Sequence, residues 1–342
     1  MTWNTTARFF AGLPVSEKDG DTFFMALISD AWLHHAHALD QLFQNFTLRH
    51  AEPFHTWSEA ILGKLARVPA VFYPFSGPDI VFPHLLYRGA ETYLLCGLES
   101  CDLLPDWKAL SPESLKGALK ALTGSIRHFL EYSYFITKDM KTGLQASCLH
   151  GVLPVFLVFL ARTGHVVHAV TPVSLDPRGN PISTHTGASA PQGLRIRFQG
   201  KGEPQCLYYF QQDLRDEHCA ADSPFYHFAA SLGRPAAFVK SASYLLHEPN
   251  FSHVRDFIFQ QCSSLVQDPS SLPFRSFASR GWKIQLHGRY SRTLPVFQRY
   301  EQPDLAEAYT REGNNSAPLP FGIGYHTEAA TASLQVALPG LL

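Results

Sequence analysis

The chain has 342 residues, with 28 Lys and Arg against 29 Asp and Glu and a formal net charge of −1. So even a balance argues against a nucleic-acid binder, which needs surplus positive charge to neutralise phosphates. Hydrophobic residues make up 45% and charged residues 17%, so a large packed core is expected rather than disorder.

Residues 1–66 read as a helical N-terminal segment packing on a single α/β domain, 67–342. Phe9, Phe10 and Leu13 open an apolar patch. Asp21 to Phe46 carries apolar residues at helical spacing, and a second helical stretch around Trp57 to Leu65 comes after the Glu52-Pro53 break. His34, His37 and Asp40 share one helix face, a set that can hold a metal. No H-E-x-x-H accompanies it, and a plain polar face rich in His is the commoner cause of such a pattern.

Val68 to Glu99 organises the rest of the chain. Ala70 to Phe75 is a buried strand, Ser76-Gly77-Pro78-Asp79 a turn, Ile80 to Tyr87 a short helix limited by Pro83, and Thr92 to Leu98 a second buried strand. Strand, Gly turn, helix, strand and acid is the order of a Rossmann-type half. There an acid about 20 residues after the glycine binds ribose hydroxyls, and the turn meets the cofactor. Ser76, Gly77, Asp79 and Glu99 are therefore the expected cofactor-binding residues, for an S-adenosylmethionine-like ligand. The turn has one glycine, and Pro78 removes a donor. The alternative is a purely structural unit with Glu99 a solvated strand end.

Further on, Ser111 as N-cap and Pro112 as first residue start a helix to about Phe129 or Tyr134, with Lys138 and Lys141 near its end. Leu153 to Arg162 is a buried helix ended by Gly164, then comes a strand from His165 to Val170. Residues 176–193 read as loop, and Leu194 to Phe198 with Cys206 to Gln211 as a hairpin. Pro224 to Leu232 is a helix, Ala236 to Ser241 a strand, and Phe251 to Cys262 a helix capped by Ser252. Leu265 to Asp268 is a short strand and Trp282 to Tyr290 the final one. Pro295 to Tyr309 is partly helical, and Leu319 to His326 is a loop before a last short segment.

No Gly-x-Ser-x-Gly elbow, phosphate-binding P-loop or kinase set occurs. Chemistry must come from polar residues at strand ends, where open α/β sheets bind ligands. Lys240, His247, His326 and Asp268 are the candidate catalytic residues, supplying acid–base or anion contacts. A Lys240–Asp268 pair tying two strand ends together is the structural alternative. The six cysteines form no C-x-x-C pair. Cys96, Cys148 and Cys262 read as small buried apolar residues, while Cys206 and Cys219 could bridge in an oxidising compartment. Phe23 to Leu33 and Val152 to Ala161 are too short to span a bilayer, and no signal peptide is written. The chain reads as soluble: cytoplasmic as it stands, exported if a leader has been removed.

The phrases Phe72 to Asp79, Gly97-Leu98-Glu99, Lys240 to Leu245, Phe251-Ser252, Gln267-Asp268 and Gly324-Tyr325-His326 together resemble a family of uncharacterised bacterial proteins, many of them exported. Its members carry a second acid and a Gly-Ile-Pro after Gln-Asp, where this chain has Pro269 and Ser271-Leu272-Pro273. The resemblance implies a shared single fold and an exported origin, and no activity. The expected architecture is α/β with a mixed, mainly parallel sheet, Rossmann-like, a methyltransferase-like topology being the nearest analogue. The expected function is a small-molecule enzyme of transferase type, or its degenerate descendant, binding a nucleotide-like ligand. A non-catalytic interaction protein is the alternative, and a metal-dependent enzyme using the His cluster the outsider.

Overall fold

The computed structural model describes residues 2–15, 29–132, 149–184, 192–311 and 318–340. Its strands are β1 (Ala70–Tyr73), β2 (Thr92–Gly97), β3 (Val166–Leu175), β4 (Pro181–Ser183), β5 (Gly193–Gln199), β6 (Gln205–Gln211), β7 (Ala236–Val239), β8 (Ser264–Gln267), β9 (Trp282–Gly288) and β10 (Ser333–Pro339). They form one sheet in the order β4-β3-β5-β6-β2-β1-β7-β8-β10-β9. The central pairings β6–β2, β2–β1, β1–β7 and β7–β8 are parallel. The other five are antiparallel.

The protein is therefore mixed α/β, but its sheet is not mainly parallel as expected from sequence. A five-stranded parallel centre carries antiparallel wings on both sides. One wing starts at the expected hairpin, β5 and β6, and continues through β3 to β4, which lies inside the stretch read as loop. The other comes from the last short segment: β10 inserts between β8 and β9, so β9 is not the final strand. This strand is hard to see in sequence because it buries polar residues. Gln335 is fully buried and its side-chain carbonyl accepts from Gln267 at 2.9 Å, so the alternation of apolar and polar residues does not mark an exposed face.

Helices cover both sides. Alternate residues of β1 face opposite layers, as strand geometry requires. Val71 and Tyr73 join one apolar cluster with helices α1 (Trp3–Phe10), α2 (Asp30–Phe46), α3 (Glu52–Ile61), α4 (Val81–Leu86), α5 (Pro112–Tyr132) and α6 (Leu153–Arg162). Phe72 joins a second with α7 (Pro224–Ser231), α8 (Ser252–Gln261) and α9 (Arg275–Ser279). The last helix, α10 (Pro303–Arg311), packs Leu305 and Tyr309 near Leu286 of β9. The N-terminal helices share the sheet's core, and Arg162 fastens them. Its guanidinium donates to the carbonyls of Ala11 and Ala36 and to the Asp40 carboxylate.

Ser111 caps α5 as expected, its hydroxyl accepting from the Ser114 amide at 3.2 Å. Ser252 does not cap α8 but is its first residue. The cap is the Asp216 carboxylate, which accepts from the Ser252 and His253 amides at 3.0 Å each. Sequence reading could not supply a cap from 36 residues away. The five described cysteines are free, Cys206 and Cys219 included; Cys148, Lys138 and Lys141 lie outside the described residues. Among the described residues no helix is long and apolar enough to cross a membrane.

Candidate ligand-binding site

From β1 the chain moves outward to β2 and β6 on one side, and later to β7 and β8 on the other. The order reverses between β1 and β7, and a crevice beyond the carboxyl ends at such a switch point is where open α/β sheets place ligands. A cavity of about 330 Å³ lies there. It is lined by Phe75 and Gly77 after β1, Gly97 to Glu99 at the end of β2, residues 212–215 after β6 and residues 241–243 after β7, with Leu245 and Phe251 completing the wall.

The backbone around this cavity is strained. Phe75, Ser241, Ser243 and Tyr244 have φ between 50° and 60°, and they are all of the non-glycine residues with positive φ among those described. The left-handed region costs roughly 1–2 kcal/mol per such residue, so the surroundings must impose it. After β7, the Ser241 amide donates to Asp268 Oδ2 at 2.8 Å and the Ala242 amide to Ser270 Oγ at 3.0 Å. The Ser243 amide donates to the Tyr325 hydroxyl at 3.2 Å and the Tyr244 amide to the Ser270 carbonyl at 3.0 Å. Tyr325 in turn donates to the Ser241 carbonyl at 3.0 Å.

Asp268 is the post for this loop. It is buried, and its other oxygen accepts from the Ser270 amide and the Ser270 and Ser271 hydroxyls. Burial raises its carboxyl above the usual range, opposed by those hydrogen bonds. Gly324 presses on it: a Cβ there would stand 2.1 Å from Asp268 Oδ2, and φ is +65°. The adjacent His326 is held below the ordinary histidine range by burial, with Asp268 opposing.

A buried ion pair joins the residue after β7 to the turn after β1. Lys240 Nζ is 2.9 Å from Asp79 Oδ2, and each side chain is 1% exposed. Asp79 also accepts from the Tyr73 hydroxyl at 3.1 Å and the Phe82 amide at 3.1 Å, while Lys240 sits 4.5 Å from the Phe82 ring centre. Burial pushes the Asp79 carboxyl up and Lys240 opposes it. Lys240 thus pairs with Asp79, not with Asp268.

Of the expected cofactor residues, Gly77 and Glu99 line the cavity; Ser76 and Asp79 do not. The Ser76 hydroxyl donates to backbone carbonyls, of Gly77 at 2.9 Å and Cys96 at 3.1 Å. Glu99 is not a solvated strand end but 6% exposed, with one carboxylate oxygen accepting from Tyr209 at 3.2 Å. None of Lys240, His247, His326 and Asp268 lines the cavity. His247 lies apart, against the Tyr244 and Tyr300 rings, where burial and then Arg275 push it down to about 4. Sequence reading gave no role to Ser270 or to the Asp213–Arg215 pair on the wall (2.6 Å), and it singled out Tyr325 beside His326 without showing that it braces the loop after β7. A tyrosine and serines in loops far apart carry no signal until the fold joins them.

A larger cavity of about 600 Å³ lies between α2 and α5, lined by His34, Lys116, Lys120 and Arg127 among others. It has no strained backbone, and its cations are exposed on a helix surface. Of the expected metal set, Asp40 is taken by Arg162, His34 bonds the Asp30 carbonyl and His37 bonds Gln41. Among the described residues no three potential ligands gather to hold a metal.

The turn after β1, the end of β2, the loop after β7, Asp268 after β8 and the Gly324–His326 turn converge on this end of the sheet. In comparisons with known proteins the chain matches no family model, no curated protein and no solved structure.

Proposed function

We propose that the protein binds a small, nucleotide-like ligand of the S-adenosylmethionine class in the cavity at the switch point, as an enzyme of transferase type or the degenerate descendant of one. The observation that carries this reading is the placement of strain. All four left-handed non-glycine residues among those described sit on the two strand ends flanking the switch point, and three of them line the cavity. Costly backbone held in place by a dedicated hydrogen-bond set is a mark of a functional site. Glu99 at the end of β2 stands where a Rossmann-like half presents its acid to ribose hydroxyls, and Phe75, Leu245 and Phe251 offer apolar faces to a planar base. The Rossmann likeness, like membership of the bacterial family, belongs to this proposal.

Calorimetric titration with S-adenosylmethionine, its demethylated product and nicotinamide cofactors tests the reading. Saturable binding that weakens in Glu99→Gln supports it; no heat with any of them, from folded protein, removes it. A second reading, binding without catalysis, draws on the absence of Lys240, His247, His326 and Asp268 from the cavity wall. Binding with no turnover over a panel of methyl acceptors, monitored by mass spectrometry, would favour it.

A further inference from the structure

The cavity of about 600 Å³ between α2 and α5 brings together two features of different kind. One is a row of cations on its rim. Lys116, Lys120 and Arg127 line it from α5. At 3.6 residues per turn and 1.5 Å per residue they fall within about 40° of the helix circumference and span about 16 Å along its axis. Among the described residues none of the three is paired with a carboxylate, whereas Arg162, Arg215, Arg280, Arg299 and Arg311 are. The facing helix, α2, contributes Asp30 and His34.

The other feature is His35, which lines the same cavity and is 4% exposed. Its Nε2 lies 2.7 Å from the Phe10 carbonyl, which only accepts, so that nitrogen carries a hydrogen. Its Nδ1 lies 2.6 Å from Thr123 Oγ1, and the Thr123 hydroxyl donates to the Leu119 carbonyl at 2.9 Å. With that hydrogen used, Nδ1 faces an acceptor too. The cradle is complete for an imidazolium, which donates from both nitrogens; a neutral ring requires the Thr123 hydroxyl to turn away from Leu119. Burial opposes the charge, the Phe10 carbonyl favours it, and Arg162 on α6 opposes it again. Arg162 is itself met by Asp40 of α2. The lining therefore holds three cations and two histidines against Asp30, and what the arrangement lacks is negative charge.

We infer that this cavity binds an extended, multiply charged oxyanion laid along the α5 row, and that His35 takes up a proton as the anion binds. Successive anionic groups accept charge-assisted hydrogen bonds from Lys116, Lys120 and Arg127, and the added negative charge offsets the burial of the imidazolium. By reciprocity, the anion binds more tightly where His35 is protonated. The site shares no residue with the switch-point cavity and stands whether or not the reading of that cavity holds.

Inorganic tripolyphosphate and inorganic sulfate are titrated into the protein by calorimetry at fixed ionic strength, and the His35 ring is followed by NMR across pH with and without tripolyphosphate. Tripolyphosphate should bind saturably and at least about tenfold more tightly than sulfate, because it reaches more than one cation. Lys116→Ala and Lys120→Ala, both at exposed positions, should each weaken it about fivefold or more, while Lys283→Ala, exposed on β9, changes nothing. Gly124→Leu puts a side chain into the cavity where a Cβ meets no described atom within 4 Å. It should abolish binding without loss of helix stability. The His35 titration midpoint should rise when tripolyphosphate is bound. Absence of saturable binding, sulfate binding as tightly as tripolyphosphate, an equal loss in Lys283→Ala, or a His35 midpoint that stays put each overturns the inference.

Discussion

Lys240→Met exposes the logic of the buried pair most directly. The substitution keeps an unbranched apolar chain but removes the ammonium that lies over the Phe82 and Phe129 rings, and it leaves the Asp79 carboxylate, 1% exposed, with only the Tyr73 hydroxyl and Phe82 amide as partners. Stranding one member of a buried ion pair costs about 3–5 kcal/mol. Asp79→Asn in the same chain removes the stranded charge. Its side-chain carbonyl can still accept from Phe82 and its amide can donate to Tyr73, so the double variant should return to within about 1 kcal/mol of the parent. Urea unfolding monitored by tryptophan fluorescence measures all four corners of the cycle. The single variant should also lose less at pH 5 than at pH 8, since protonation neutralises the carboxyl that burial already pushes upward. A cost below about 1 kcal/mol for Lys240→Met, or a double variant as unstable as the two singles summed, would refute the assignment of an interdependent pair.

Three further outcomes are expected. Ser241→Gly should stabilise the protein by about 0.5–1 kcal/mol, because it relieves a left-handed residue whose buried hydroxyl has no hydrogen-bond partner. The same change should weaken ligand binding, and calorimetry beside urea unfolding reads both; an unchanged or lower stability contradicts the strain argument. Gly97→Ala places a Cβ 2.4 Å from Glu99 Oε2 and 3.0 Å from the Tyr209 hydroxyl, so it should displace the carboxylate, cost about 1–3 kcal/mol and weaken binding of the nucleotide-like ligand at least tenfold. Burial lowers His84 to about 3 and His247 to about 4 from 6.5. The unfolded chain therefore takes up protons that the folded chain refuses, so their contribution to stability is full above pH 6.5 and is lost as pH falls toward 4 and then 3. In His247→Phe the loss between pH 6.5 and 4 should be shallower by up to about 1.4 kcal/mol per pH unit, which a series of urea midpoints will show or deny.

Local pattern was enough to find β1, α4, β2, the β5–β6 hairpin, α6 and β8, because each is a short run whose apolar content exceeds what a surface would carry. It was not enough for the sheet as a whole. Whether a strand joins parallel or antiparallel is decided by where its chain returns, and β10 returns between β8 and β9 through distant pairings such as Gln335 with Gln267 and Ser333 with Gly288. Its buried Gln335 is tolerable only because Gln267 on β8 supplies the partner, and neither glutamine reveals the other in sequence. The same limit governs Lys240. A lysine at a strand end next to serines reads equally well as an anion binder or a strand tie, and only the fold shows that its side chain runs down to Asp79 while Ser241 lines the cavity.

That division of labour explains why the expected catalytic residues and the cavity wall differ. Lys240, Asp79 and Asp268 are the most buried charges at the switch point, and each holds backbone: Asp79 the start of α4, Asp268 the loop after β7, Lys240 the carboxylate that holds α4. Charges in these positions stabilise weakly on balance, since desolvation offsets most of their attraction. They do fix two strained turns facing each other across β1 and β7, a geometry that apolar packing alone would let relax. The chemistry-bearing residue types in the sequence therefore mark the frame of the cavity, and a ligand seated there would meet what the frame presents: Glu99, the apolar faces of Phe75 and Phe251, and a wall whose one arginine among the described residues is already engaged by acids of its own loop.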